Sequence, residues 1–378
     1  MRRLPPALTC GLAAMTLAFG PAPGPWVTEE FPAGTARLLD AERIDADTTW
    51  TAGFRSSDEG KQRLFRPVLF SREDSSHRWK RIPTPLDDTR TRINAIGASP
   101  EGDAWLVGDA DEGTRTIHTA HRDDTGWKLA PAPLPESALS GGFLGVDAVD
   151  RDDAWAVGWT QPEGPLFTFH GLIERWDGVA WRQVAPPALG TDYWSLWDIT
   201  AIAPDDVWAA GAIGTPEGLR PLLLHYDGTS WSRRSAPELD SLAAEFTALA
   251  SNGPSDVWAV GRVERGADGR DHGLVAHFDG TRWSVVDAPV GQGRLYGVTV
   301  ARDAVAVVGD QNGTKPIGAR LRHGRWQALR LPVVGTQGTA AADVVTTGRA
   351  LTVVGVATDA PAAGEGDSET RPFAIRGF

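Results

Sequence analysis

Cysteine is almost missing from this chain of 378 residues, with Cys10 its single example. A lone cysteine close to the N-terminus leaves no intrachain disulfide and no thiolate metal site for the rest of the chain. Lysine is nearly as scarce, at Lys61, Lys80, Lys128 and Lys315. A formal net charge of −12 and the lack of any basic cluster exclude the electrostatic footprint of a nucleic-acid binder. No apolar run reaches the roughly 20 residues that span a bilayer, so no membrane insertion is expected.

Metal and catalytic motifs are also incomplete. Asp109-Ala110-Asp111-Glu112-Gly113 opens like a calcium loop, and Glu365, Asp367 and Glu369 form an acidic stretch, but neither carries a full ligand set. His121, His225 and His277 recur at one position of a repeat and read as structural strand residues. Asp103, Asp153, Asp206, Asp256 and Asp303 also recur; because a catalytic pair needs two unlike environments, they read as turn residues. No cofactor, metal or catalytic residue is expected.

What is present begins with a leader. Arg2 and Arg3 precede an apolar stretch from Leu4 through Phe19, followed by small residues at Gly20, Ala22 and Gly24. This pattern predicts a secretory signal peptide over residues 1–24, with Cys10 inside it, and an extracellular mature chain over residues 25–378.

The mature chain is repetitive. The plainest copies are Asp153-Ala154-Trp155-Ala156-Val157-Gly158, Asp206-Val207-Trp208-Ala209-Ala210-Gly211 and Asp256-Val257-Trp258-Ala259-Val260-Gly261, and weaker copies end at Gly53, Gly108, Gly309 and Gly355. These glycines are 55, 50, 53, 50, 48 and 46 residues apart, which gives seven copies of a unit of about fifty residues. A second marker follows each copy but the last: Trp79, Trp127, Trp181, Trp231, Trp283 and Trp326, each with a proline six residues on. Asp177-Gly178, Asp227-Gly228 and Asp279-Gly280 each follow an aromatic residue and predict hairpin turns, because such turns need positive φ.

Each unit therefore reads as four antiparallel strands, in the fifth over residues 246–251, 256–261, 273–279 and 282–288. A small sheet of this kind buries both faces only by stacking radially between two neighbours. The seventh unit lacks its fourth strand, and Trp26 with Pro32 repeats the missing marker at the other end of the chain. The expected fold is an all-β, seven-bladed β-propeller of four-stranded antiparallel blades, closed by the N-terminal strand completing the last blade and leaving no bare edge.

A glycine-ended second strand, an aromatic-Asp near the end of the third and a tryptophan in the fourth resemble the kelch family and the related galactose-oxidase-type propellers, over nearly all of residues 26–378. The resemblance implies the fold and carries no activity with it.

Links from second to third strands, and from one unit to the next, are the long ones, so the face that gathers them is the candidate binding surface. Of 16 tryptophans, only Trp159, Trp194 and Trp197 fall outside the repeat positions. They lie beside Phe143, Phe167, Asp192 and Tyr193, so aromatic faces and a carboxylate come together as a platform for a sugar or apolar ligand. The competing reading is a satellite core beneath long loops. The expected function is a secreted, non-catalytic binding module, monomeric alone, that recognises a carbohydrate or a protein partner. A polysaccharide hydrolase or lyase is the alternative, and it needs unlike titratable groups converging near the axis. A targeting subunit of a secreted assembly is the third.

Overall fold

The structure is a computed structural model that describes residues 26–59, 62–110, 115–164, 168–239, 241–265, 270–301, 304–361 and 368–377. The leader with Cys10, Phe167, Asp303, and residues 111–113, 365 and 367 of the acidic loops lie outside the described residues. The described chain consists of β-strands and their connections, and no helix in it is long and apolar enough to cross a membrane.

All named strand pairs are antiparallel and build four-stranded sheets; the second gains a short fifth strand, Ala132–Pro133, and is merged with the third through a single pairing of Gly142 with Asp109. The unit at Ala243–Ser251, Val257–Arg265, Arg270–Phe278 and Trp283–Val285 is representative. Its second and third strands run further than their composition suggests, because the ladder continues from Arg262 with Gly273 out to Arg265 with Arg270. Much of what reads as long loop is thus extended hairpin.

The first strands of the units are Arg37–Arg43, Ile93–Ala98, Ala138–Asp150, Trp194–Ala203, Ala243–Ser251, Arg294–Ala301 and Gly338–Thr347. Each packs on the next, and the last packs back on the first, so together they surround an axis. The hydrophobic clusters lie between neighbouring sheets: Leu38, Ala41 and Phe70 of the first, for example, pack with Val345, Val354 and Ala374 of the last. Repeat tryptophans cross these seams. Trp155 meets Trp231 at 5.4 Å, Trp208 meets Trp283 at 5.4 Å and Trp258 meets Trp326 at 6.0 Å, all edge to face. Such pairs add about 0.5–1.5 kcal/mol beyond the area they bury.

At the N-terminus Val27 pairs with Arg376 and Thr28 with Ile375, giving the last sheet a fourth strand in the order Val27–Thr28, Glu369–Gly377, Ala350–Asp359, Gly338–Thr347. The chain then crosses to the first sheet, where Glu29 is buried against Arg72 at 3.3 Å and accepts a 2.8 Å hydrogen bond from Trp79 Nε1.

The repeat glycine is explained by close approach. Each first strand carries a bulge just after its start, and a Cβ on Gly53, Gly108, Gly158, Gly211, Gly261, Gly309 or Gly355 would overlap the backbone carbonyl of the bulged strand beside it. The Asp-Gly turns have the expected backbone, with φ of 85°, 86° and 89° at Gly178, Gly228 and Gly280. Asp177, Asp227 and Asp279 each accept two backbone N–H bonds within those turns.

The recurring aspartates before the second strands behave differently from the turn role expected of them. Asp103, Asp206 and Asp256 reach across the sheet to His121, His225 and His277 at 3.1, 2.8 and 2.9 Å, and Asp153 holds Arg175 at 2.7 Å. The third-strand partner lies directly opposite the repeat tryptophan and stacks on it, with Trp258 and His277 4.3 Å apart. A carboxylate two residues before that tryptophan therefore faces a ring or guanidinium that needs a partner, and this outcompetes the local turn.

Candidate functional site

The ring of first strands leaves a cavity of about 690 Å³ along its axis. Its wall is built by the bulges. In each first strand one residue drops out of the ladder between register-shifted neighbours: Leu39, Asn94, Leu144, Trp197, Thr247, Tyr296 and Ala342. All of them line the cavity, and Trp197 and Tyr296 are 38% and 37% exposed. Trp197, expected on a loop, is thus an axial residue on a strand.

The residues that follow the bulges carry the electrostatics. Around the ring these are Asp40, Ala95, Gly145, Asp198, Ala248, Gly297 and Asp343, so an acid is followed by two small residues each time until Asp343 meets Asp40 across the last-to-first seam. Each carboxylate reaches the next sheet, where Asp40 accepts from Ile96 N at 2.6 Å, Asp198 from Leu249 N at 2.7 Å and Asp343 from Ala41 N at 3.1 Å. The glycine just before an acid in this order is steric in origin, since a Cβ on Gly145 or Gly297 would crowd Asp198 or Asp343. The other seams use related links: Asp147 accepts from Ala201 N at 2.8 Å, Asn94 donates to Phe143 O at 2.8 Å, Thr247 donates to Leu295 O at 2.6 Å, and Thr299 meets Thr346 at 3.3 Å.

Burial pushes Asp40 and Asp147 up to about 6 and Asp198 up to about 8, and it holds Asp343 and Glu42 well above the usual carboxylate range. Neighbouring carboxylates reinforce the shift at Asp198, Asp343 and Glu42, and Asp343 shares a hydrogen bond with Asp40. The mouth above them is lined by Arg37, Arg92 and Arg294. Arg92 pairs with Asp109 at 2.6 Å, and Arg294 pairs with Asp271. Among the described residues no three His, Cys, Asp or Glu side chains are gathered to hold a metal ion.

The residues singled out by sequence divide. Phe143 and Trp194 are core residues, 0% and 6% exposed, with Trp194 packed among Trp155, Leu196 and Tyr226. Trp159 is half-buried and meets Phe169 at 5.7 Å, and Phe169 meets Tyr193 at 5.8 Å, so these rings form a string on the long-link face. Tyr193 is 43% exposed, and the exposed Asp192 lies 3.6 Å from His170. Trp197 follows Tyr193 by four residues on the same chain segment, which places it about 13 Å deeper along the strand. Sequence reasoning missed the axial carboxylates and Tyr296; the one-residue bulge that aims them leaves no strict periodic trace, though Asp recurring 11 to 13 residues before the repeat glycine in four units was a usable signal.

No family model and no curated protein matches the chain. It is similar in structure to YCF48 bound to a D1 peptide, with 16% identity and a TM-score of 0.55 over 95% of this chain and 97% of that one. The GH74 xyloglucanase of Xanthomonas campestris gives 12% identity and a TM-score of 0.55, covering 88% of this chain and 53% of that chain. The β-propeller domain of the Trilobed protease of Pyrococcus furiosus, described as an open velcro topology, gives 12% identity and a TM-score of 0.52 over 85% and 92%. The fold is an all-β propeller of four-stranded antiparallel sheets.

Proposed function

We propose that this chain is a secreted, non-catalytic propeller of seven blades, closed by the N-terminal strand, that binds a segment of a partner protein at its axial mouth. The pairing of Val27–Thr28 with the last sheet and the return packing of Gly338–Thr347 on Arg37–Arg43 support the count and the closure. The repeat markers keep the kelch-type kinship as part of the proposal.

One observation carries the binding role: the axial carboxyls at Asp40, Asp147, Asp198 and Asp343 are held by backbone N–H groups of the next blade, while the bulge residues beside them are free of the ladder and face the cavity. The acids act as stitching, and the recognition surface is left to Trp197, Tyr296 and the string from Tyr193 to Trp159. A mouth of mixed Arg and Asp character over aromatic rings suits an extended peptide, whose backbone and side chains offer donors, acceptors and apolar contacts together. The peptide named for YCF48 is in keeping with this choice.

Display of a random peptide library on the immobilised chain, repeated with Trp197→Ala and Tyr296→Ala, tests it. Selected peptides should lose at least tenfold in affinity for each variant. Peptides that bind both variants unchanged, or enrichment of oligosaccharides alone in a parallel glycan screen, would overturn the proposal. The hydrolase alternative is tested by polysaccharide turnover that vanishes in Asp343→Asn.

A further inference from the structure

The opposite end of the molecule holds a second cavity of about 670 Å³, lined by Glu42, Arg43, Arg320, Arg322, His323, Thr346 and Arg349 among others. These residues belong to the short turns: Arg320 and Arg322 end the strand Lys315–Arg322, and Arg349 sits in the tight link between Gly338–Thr347 and Ala350–Asp359. His323 and Gly324 have φ of 50° and 71°, the paired positive values of a two-residue hairpin turn, which bring the end of that strand to the rim.

In a chain of net charge −12, this concentration of guanidinium groups is out of character. Arg43 has a partner, Asp74, at 2.8 Å. Among the described residues no carboxylate forms an ion pair with Arg320, Arg322 or Arg349. Arg320 is the telling one. It is 9% exposed, its Nε has no hydrogen-bond partner among the described residues, and a terminal nitrogen donates to the backbone carbonyl of Arg349 at 3.2 Å.

The repeat explains why. Arg320 stands opposite Ala306, at the position held in other blades by His121, Arg175, His225 and His277. There the second strand supplies Asp103, Asp153, Asp206 or Asp256. Two residues before Ala306 the chain has Ala304, while Asp303 beside it lies outside the described residues, so among the described residues the cation is kept and a methyl group stands where the other blades place the carboxylate. A buried guanidinium without a counter-charge is costly, and an external anion relieves that cost.

We propose that this cleft binds a tetrahedral oxyanion, a phosphate or sulfate group, held by Arg320 from within and by Arg322 and Arg349 at the rim. Guanidinium forks match the oxygens of such groups and hold them with charge-assisted bonds. Burial and the nearby Arg322 lower the Arg320 pKa, the direction an unneutralised cation takes. Burial and neighbouring carboxylates raise the pKa of Glu42, the carboxyl of the lining, which disfavours its charged form beside the arginines.

Calorimetric titration and thermal unfolding of the mature chain with inorganic phosphate and with sodium sulfate, against sodium chloride at equal ionic strength, test the site. Saturable binding with a rise in Tm is expected for one or both oxyanions, and a response to phosphate alone or to both tells a phosphate-selective site from a charge-selected one. Arg322→Ala and Arg349→Ala, on exposed side chains, should each weaken binding about tenfold or more. Arg320→Met should raise Tm in chloride and abolish the oxyanion response. An equal rise in chloride, or an undiminished response in the Arg322→Ala/Arg349→Ala double variant, overturns the proposal. So does phosphate binding that appears only in Asp303→Asn, since the chain's own carboxylate would then fill the cleft.

Discussion

The two ends of the axis treat buried charge in opposite ways. Around the funnel, carboxyl groups are matched seam by seam with backbone N–H groups of the neighbouring blade, as Asp198 is with Leu249 and Asp40 with Ile96. In the cleft on the short-turn side, Arg320 faces Ala304 where the other blades carry an acid, and among the described residues no carboxylate pairs with it. The contrast shows how a repeat makes function visible: a polar group satisfied in the same way in many blades belongs to the scaffold, and one whose partner has been removed in a single blade marks a departure with a cost attached.

The comparison is broken or sharpened most strongly at the scaffold itself. Gly211→Val forces a side chain into the carbonyl of Ser195 and should lower unfolding free energy by upwards of about 4 kcal/mol in denaturant titration, with no recovery from phosphate. Where the N-terminal segment crosses to the first sheet, Glu29→Ala leaves the buried Arg72 with only the more distant Asp74 at 3.6 Å and should cost about 3 kcal/mol, whereas Glu29→Leu combined with Arg72→Met should cost clearly less. A double variant as damaged as the single one would show that packing, not charge, holds the N-terminal segment.

Next in size is a pH effect at the axis. Asp198 has a folded value of about 8 against an unfolded one near 3.9, so the folded chain holds a proton that the unfolded chain releases between those limits. Stability from this group is complete below about 4 and is lost as pH rises through about 8, so Tm should fall between pH 5 and pH 9. Asp198→Asn, which keeps an acceptor for Leu249 N, should flatten that slope, and an unchanged slope would remove Asp198 from the titration. Asp206→Ala, which leaves His225 without its carboxylate, should cost about 1 kcal/mol in the same denaturant assay. Tyr193→Ala should lie within about 0.5 kcal/mol of the parent in stability while weakening peptide capture, and a larger loss of stability would assign that ring to the scaffold.

Much of the architecture is legible in the chain because glycine, tryptophan and Asp-Gly recur at fixed places with a physical reason for each. Gly53 through Gly355 sit where a carbonyl presses on the second strand, and Gly178, Gly228 and Gly280 supply the turn conformation. The aromatic residues outside the repeat were harder to place. Strict alternation puts Trp194 and Trp197, three residues apart, on opposite faces of their blade; the bulge instead takes Trp197 out of the ladder and into the funnel, while Trp194 stays in the core. The Asp–His pairs had a signal that went unused, since His121, His225 and His277 follow Asp103, Asp206 and Asp256 by a nearly constant interval. The arginine cleft had none, for Arg320 and Arg349 come together only through the packing of two blades.

The bulges also separate two tasks that most β-sheets combine in the same residues. Leu39, Leu144, Trp197, Tyr296 and Ala342 stand outside the strand register, whereas Asn94 and Thr247 at the same position bond to the next blade, so it is the first five whose identity can change with little effect on the ladder pairing. Those five positions form a dial around one opening, at which the lining of the funnel can be altered while the same frame is kept.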